Sequence, residues 1–320
     1  SFCTYSRRIT LKKLLIVGGS GTIARAFLSH YYNDYEFYCL ARNERHLAEV
    51  KRDFPDVNIK IGNIEDKQQL YFIFDKIRPN IVVHMAAMKH VNLVEENPIQ
   101  GSKINVQGSL NVISASLRSD VPITVGLSTD KACSPENVYG YSKSLLESCF
   151  IEANTNRNRF ACTRFANVAM TSDSVVPLWE TLIEQDKPLK LTDPNMNRLM
   201  FSQKEAVSVI KKSIDRCENY GGGFIASTLM KSVNMKDLAE TLLEMYGKSK
   251  DNIEIVGIRP GEKLNEKLVS EKEIPFTHIH NDLIYIRQQE NTGENKLEEE
   301  YSTKTAEKMT KDEIIKLCTR

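Results

Sequence analysis

The chain has 320 residues, with 43 Lys and Arg against 42 Asp and Glu and a formal net charge of +1 at pH 7. That balance supplies no global field for nucleic acid or an anionic membrane, so a charged ligand has to be met locally. No apolar run approaches the roughly 18 residues of a membrane span, and residues 1–11 are too polar for a signal peptide and read as a tail. The seven cysteines (3, 39, 133, 149, 162, 217 and 318) are scattered and lack C-x-x-C spacing. They imply reduced thiols in a cytoplasmic setting rather than a disulfide framework or a metal site.

Short apolar runs at 14–17, 37–40, 57–61, 81–85, 123–127 and 160–164 alternate with amphipathic segments. This rhythm predicts an α/β fold: a Rossmann-like doubly wound parallel sheet whose ligand crevice lies at the strands' C-terminal ends. The first domain is expected over 12–166. After Phe165 the rhythm loosens, with Pro177, Pro188, Pro194 and Pro260 as punctuation. A smaller, discontinuous substrate-binding region is expected over 167–199 and 229–288, with 200–228 returning to the first domain. Residues 289–320 read as a charged tail, in which Thr310 and Glu313 form a capping box opening a terminal helix.

The first run leads into Gly18-Gly19-Ser20-Gly21-Thr22-Ile23-Ala24 and then a helical pattern. This is the strand, tight turn and helix of a dinucleotide fingerprint: Gly18 permits the turn, Gly21 lets a pyrophosphate approach, and Ala24 allows close helix packing. Ser20, Thr22 and Ile23 complete the cofactor loop. The second strand ends at Arg42 with no carboxylate for a ribose 2′-hydroxyl. Arg42, helped by Arg45, suits a 2′-phosphate and favours NADP over NAD, the competing reading being a solvated surface arginine. Asn63 and Ile64 follow the third strand within reach of adenine. Ala86 and Ala87 end the fourth with small residues where the cofactor backbone would lie. By contrast, Gly221-Gly222-Gly223 has no helix after it and reads as a plain turn.

The segment 127–147, LSTDKACSPENVYGYSKSLLE, sets Asp130, Lys131, Tyr139 and Lys143 between a strand end and a helix. Tyr139 and Lys143 are four apart, so they share a helix face, and the ammonium of Lys143 favours the phenolate. A second Y-x-x-x-K, Tyr246 to Lys250, contains Gly247 and has no strand before it, so it reads as a helix end. His278-x-His280 lacks the other ligands of a metal site and reads as structural.

Taken together, these residues resemble the extended short-chain dehydrogenase/reductases that act on nucleotide sugars. Within that family they are most similar to the inverting UDP-N-acetylglucosamine 4,6-dehydratases of pseudaminic acid synthesis. The resemblance is carried by HMAAMKHV (84–91), NPIQGSKINVQGSLNV (97–112), STDKACSPENVYGYSK (128–143), TRFANV (163–168), SVVPLW (174–179) and IRPGEKLNE (258–266). Departures are Ala24 and Ala166 in place of glycines, Asn63 in place of an acid, and the loop Met170-Thr171-Ser172-Asp173. The resemblance implies oxidation at C4 of the sugar, loss of water across C5 and C6, and hydride return to C6. It further implies Tyr139 as the base at the 4-hydroxyl, Lys143 on the cofactor ribose, Lys131 as the C5 base, Asp130 as the acid at the departing 6-hydroxyl, and Thr129 on the 4-oxygen. Lys131 would then act neutral and Asp130 protonated. Candidates for the UDP-sugar are Lys89, Asn167, Val175, Arg198, Arg259 and Glu262. The expected partners are a UDP-sugar and further copies of the chain. A UDP-sugar 4-epimerase is the rival enzyme, and a non-catalytic NADP-binding regulator the rival of another class.

Overall fold

A computed structural model describes residues 11–172, 174–258, 261–280, 283–287 and 295–319. The first half alternates as the periodicity requires: β1 (Lys13–Val17), α1 (Thr22–Tyr31), β2 (Glu36–Ala41), α2 (Glu44–Asp53), β3 (Asn58–Ile61), α3 (Lys67–Ile77) and β4 (Ile81–His84). There follow α4 (Val91–Glu96), α5 (Pro98–Ser102), a π-helical turn at Lys103–Gln107, α6 (Gly108–Arg118), β5 (Ile123–Thr129), α7 (Val138–Glu152) and β6 (Arg159–Phe165). The second half contains β7 (Asn167–Val168), α8 (Val175–Glu184), β8 (Leu189–Leu191), β9 (Asn197–Phe201), α9 (Gln203–Tyr220), β10 (Phe224–Thr228) and β11 (Lys231–Asn234). It ends with α10 (Met235–Met245), β12 (Ile253–Ile255), β13 (Lys267–Val269), β14 (Thr277–His280), β15 (Leu283–Arg287), β16 (Tyr301–Ser302) and α11 (Lys311–Cys318).

The central sheet has the order β14-β15-β10-β6-β5-β4-β1-β2-β3. All pairings from β3 to β10 are parallel, and β15 and β14 close one edge antiparallel. Along β1 the side chains alternate between two cores, as the period of two demands. Leu14 and Ile16 pack with Phe27 of α1 and Ile210 of α9, whereas Leu15 and Val17 pack with Leu70 and Phe74 of α3 and Val112 of α6. The chain reverses its direction of travel across the sheet between β1 and β4, so the crevice opens at their carboxyl ends.

A third core, around Trp179, Leu238 and Leu242, joins α8, α10 and α11. Both the return of α9 to the first core and the parallel pairing of β10 with β6 bring 203–228 back to the large sheet. One boundary differs from the sequence expectation. Strands β14 and β15 fall inside 229–288 yet belong to the large sheet: β15 packs Leu283, Ile284, Tyr285 and Ile286 along the edge that β10 leaves open, and β14 pairs with β15. Of the arm or packing helix expected at the end of the chain, the structure has the packing helix: β16 pairs with β13, and Ile314 and Cys318 of α11 are buried in the third core. The capping box of α11 is present, with Thr310 and Glu313 bonded reciprocally.

Candidate active site

Gly18 has φ +92, and a Cβ there would stand 2.6 Å from the Ala86 nitrogen. Glycine therefore lets the turn after β1 press against the end of β4, where Ala86 N–H donates to the Val17 carbonyl at 2.9 Å. Gly21 caps α1 without a side-chain hydrogen bond, and a Cβ there would meet only its own loop's Gly18 oxygen at 3.4 Å. The first N–H groups of α1 thus face an open side that suits a pyrophosphate. Thr22 Oγ1 lies 3.1 Å from Ser172 Oγ, which fastens the loop after β7 to the glycine loop. The residues fit a dinucleotide.

Several cofactor candidates sit differently from expectation. Ile23 and Ile64 turn their side chains into the cores, so only their backbones remain for a ligand. Exposed Arg45 pairs with Glu49 one turn along α2 instead of supporting Arg42. Arg42 itself lies 3.8 Å from Glu65, a carboxylate brought in from beyond β3. Asn63 is bonded to the same Glu65.

The reactive segment forms because Asn137 caps α7, accepting the Gly140 N–H at 2.7 Å. A Cβ on Gly140 would lie 2.3 Å from the Lys131 carbonyl. Glycine at this position lets the first turn of α7 press on the 3₁₀ turn Asp130–Ala132, which sets Lys131 and Tyr139 side by side. The other Y-x-x-x-K is a helix end, with Tyr246 at the C-terminus of α10 and Gly247 at φ +65.

Asp130, Lys131, Asn167, Arg198, Glu262 and Glu266 line one cavity of about 180 Å³. Typical ligand pockets hold roughly 300–1,000 Å³, so this one matches the reacting end of a larger ligand. Lys131 Nζ lies 3.2 Å from Asp130 Oδ1 and 2.9 Å from Glu266 Oε1. Arg198 Nε stands 3.5 Å from that same Glu266 oxygen, and Asn167 Nδ2 donates to Glu266 Oε2 at 3.0 Å. Thr129 donates its hydroxyl to Asp130 Oδ1 at 2.8 Å. Asp130 Oδ2 is buried with no hydrogen-bond partner.

Burial and the neighbouring Glu266 carboxylate push the Asp130 carboxyl up to about 7, with Lys131 and Thr129 opposing. It therefore holds a proton near neutrality. For Lys131 burial acts downward, but the carboxylates of Asp130 and Glu266 outweigh it and hold the amine above its ordinary value. The expected neutral lysine is thus an ammonium in the resting protein. For Glu266, burial is overcome by Lys131 and Arg198, so it stays ionised.

Tyr139 and Lys143 share the buried face of α7. Burial pushes the Tyr139 phenol up to about 12, and the cation opposing this is Lys131. Burial lowers Lys143 to about 8, against Cys162 and Glu147. In this structure the cation acting on the Tyr139 phenol is Lys131.

Of the substrate candidates, Asn167, Arg198 and Glu262 meet in the cavity. Lys89 stays exposed just before α4, and Val175 packs against the third core. Arg259 lies outside the described residues. In the sequence Glu266 is only the last residue of the motif 258–266. Its single local signal is one more acid in a charged stretch, which does not reveal that it is buried against Lys131. His278 and His280 line a separate cavity of about 540 Å³ beside α9, and no metal-binding group of three acids, cysteines or histidines occurs among the described residues. Nor is any helix among them long and apolar enough to cross a membrane.

A protein of Methanocaldococcus jannaschii named as an uncharacterized membrane protein is 34% identical, covering 96% of this chain and 95% of its own. The inverting UDP-N-acetylglucosamine 4,6-dehydratase of Campylobacter jejuni is 33% identical over 83% of this chain and 80% of its own length. UDP-glucose 4-epimerases also occur among the relatives. Among solved structures, Pen from Bacillus thuringiensis superposes with a TM-score of 0.87 at 27% identity, covering 96% of this chain and 97% of that one. A glycine loop at the switch point, a Tyr-Lys helix beside it and a match over residues 14–288 agree: the chain belongs to the polysaccharide biosynthesis protein family, with the fold of the nucleotide-sugar short-chain dehydrogenases.

Proposed function

We propose that the protein is a nucleotide-sugar 4,6-dehydratase, a lyase acting on UDP-N-acetylglucosamine with inversion at C5 and using NADP. The observation that carries this reading is buried Asp130 paired with half-buried Lys131 in one cavity, with Tyr139 next to them. A 4-epimerase needs a tyrosine base but neither a C5 base nor an acid for a leaving hydroxyl. A nicotinamide dinucleotide bound at Gly18–Ile23 and Ala86–Ala87 would take hydride from C4 and give it back at C6.

The chain's own residues handle the protons. Tyr139 accepts the 4-hydroxyl proton as the phenolate, the form that the ammonium of Lys131 and the Thr129 hydroxyl favour, while Lys143 holds the cofactor ribose. Lys131 is the base at C5 and must shed its own proton first. As the C5–H bond breaks toward the amine, its electron pair forms the C5–C6 double bond. The C6–O bond then opens, and Asp130 supplies the proton that makes the leaving hydroxyl water. Arg198, with Arg259, suits the diphosphate because a guanidinium binds two oxygens at once. Arg42 supports NADP, although Glu65 beside it would equally serve a ribose hydroxyl and favour NAD. Free cysteines support a cytoplasmic setting, and the protein works as a homo-oligomer.

Product analysis in heavy water tests this reading. Incubation with UDP-N-acetylglucosamine and NADP should give a product lighter by one water, with deuterium at an inverted C5. An isomer of unchanged mass would assign the epimerase instead. A stable NADP complex that never reduces with any UDP-sugar would assign the regulator.

A further inference from the structure

Two of the carboxylates lining the cavity, Asp130 and Glu266, pair with Lys131, and the elimination as drawn uses only Asp130. Glu266 is 5% exposed, arrives from the segment before β13, and turns Oε1 to Lys131 and Oε2 to Asn167. Its Oε1 touches the Lys131 ammonium at 2.9 Å, closer than the 3.2 Å to Asp130. Arg198 and Asn167 fix it from β9 and β7. Meanwhile Asp130 Oδ2 is buried with no donor aimed at it, and the Asp130 carboxyl faces Glu266, to which it can donate once protonated.

We propose, building on the dehydratase reading, that Glu266 is the positioning residue of the elimination: it is the standing counter-ion of Lys131 and thereby keeps the transferable proton on Asp130. Two carboxylates crowded around one ammonium cannot both ionise at low cost. Glu266 has two cations and an amide donor, whereas Asp130 has only a share of Lys131 and the Thr129 hydroxyl, so the proton goes to Asp130. The titratable and charged groups facing Asp130 are Lys131 in its own turn, Tyr139 on α7 and Glu266, with Arg198 behind Glu266.

The test follows C4 oxidation and water loss separately for the holoenzyme with UDP-N-acetylglucosamine, the first by absorbance of reduced nicotinamide and the second by mass. In wild type, water loss should fall as pH rises through about 7, where Asp130 loses its proton. In Glu266→Gln, water loss should drop about 10²-fold while oxidation slows by less than about fivefold, because general acid–base steps contribute on that scale. Removing the like charge should also move the falling limb to lower pH by at least about one unit. Glu266→Asp, which keeps the charge, should leave the limb within about half a unit of wild type. Equal losses in both steps with an unmoved limb would reduce Glu266 to a structural part and overturn the inference. If wild type itself yields no water-loss product, the dehydratase reading falls first. Should Glu266→Gln fail to fold, the Glu266→Asp profile decides alone: a limb displaced by more than about one unit overturns the inference.

Discussion

Arg164 on β6 offers the sharpest stability prediction, with Arg164→Met as the perturbation. The guanidinium is 1% exposed. Its Nε and Nη2 donate to Glu147 at 3.0 and 2.7 Å, its Nη1 and Nη2 to Glu273 at 3.1 and 2.8 Å, and its Nη1 also to the Leu268 carbonyl at 2.7 Å. Methionine fills much of the volume but leaves two carboxylates and a carbonyl without their cation. Against the opposing effect of burial, Arg164 and the Ser270 donors hold Glu273 at about 2, below the ordinary 4.5. At about 1.4 kcal/mol per pKa unit, that gap corresponds to about 3 kcal/mol. Losing one partner of a buried ion pair costs about 3–5 kcal/mol. A loss of about 3–5 kcal/mol at pH 7 is expected, or a fall in Tm on the order of 10 °C. Because the folded pKa of Glu273 is the lower one, its contribution is full above about 4.5 and disappears as pH falls toward about 2. Urea titrations at pH 7 and again in this acid window would measure the difference between wild type and variant. It should shrink in acid. A loss under about 1 kcal/mol at pH 7, or a gap that does not narrow, would refute the reasoning.

Lys131→Ala should abolish water loss while leaving NADP affinity intact by calorimetry. It should also slow C4 oxidation, since the cation favouring the Tyr139 phenolate is gone. Retained elimination would remove Lys131 as the base. Gly18→Ala should weaken NADP binding about tenfold or more, because its φ of +92 is strained for alanine and its Cβ would stand 2.6 Å from the Ala86 nitrogen. Unchanged affinity would show that the loop is not the cofactor cradle. Arg42→Ala should narrow the preference for NADP over NAD by about tenfold in dissociation constants, the scale of one charge-assisted contact. A wild type that binds both alike would instead leave the ribose to Glu65.

Much of this architecture was legible because it is written locally. Period-two alternation in β1, turn chemistry at Gly18 and a strand-to-helix passage at 127–147 each need only a dozen consecutive residues. Lys131, Asp130 and Tyr139 do meet, and Arg198 and Asn167 join them from elements the sequence marked as substrate-binding. What escaped was written non-locally. The charge on Lys131 depends on Glu266, and no spacing rule reports that a distant carboxylate will be buried against it. The role of Gly140 was likewise hidden, since its neighbour is a carbonyl nine positions back that only the 3₁₀ turn brings close. Strand β14 carries His278 and His280 and β15 ends at Arg287, so their apolar pattern is short and their place at the sheet edge follows from β10 needing a partner.

Asn137 does two things at once: its side-chain oxygen starts α7, and its side-chain amide donates to the Gly261 carbonyl at 3.0 Å, 124 residues away. Closing so long a loop carries an entropic cost that only a largely assembled protein can offset, and contacts of this span slow folding. The parallel sheet can therefore form before the cavity exists. In hydrogen exchange the Gly140 amide should open with the segment 261–267 as one cooperative unit, at a lower free energy than β1, β4 and β5. Catalytic competence would then be lost on mild destabilisation while most of the fold persists.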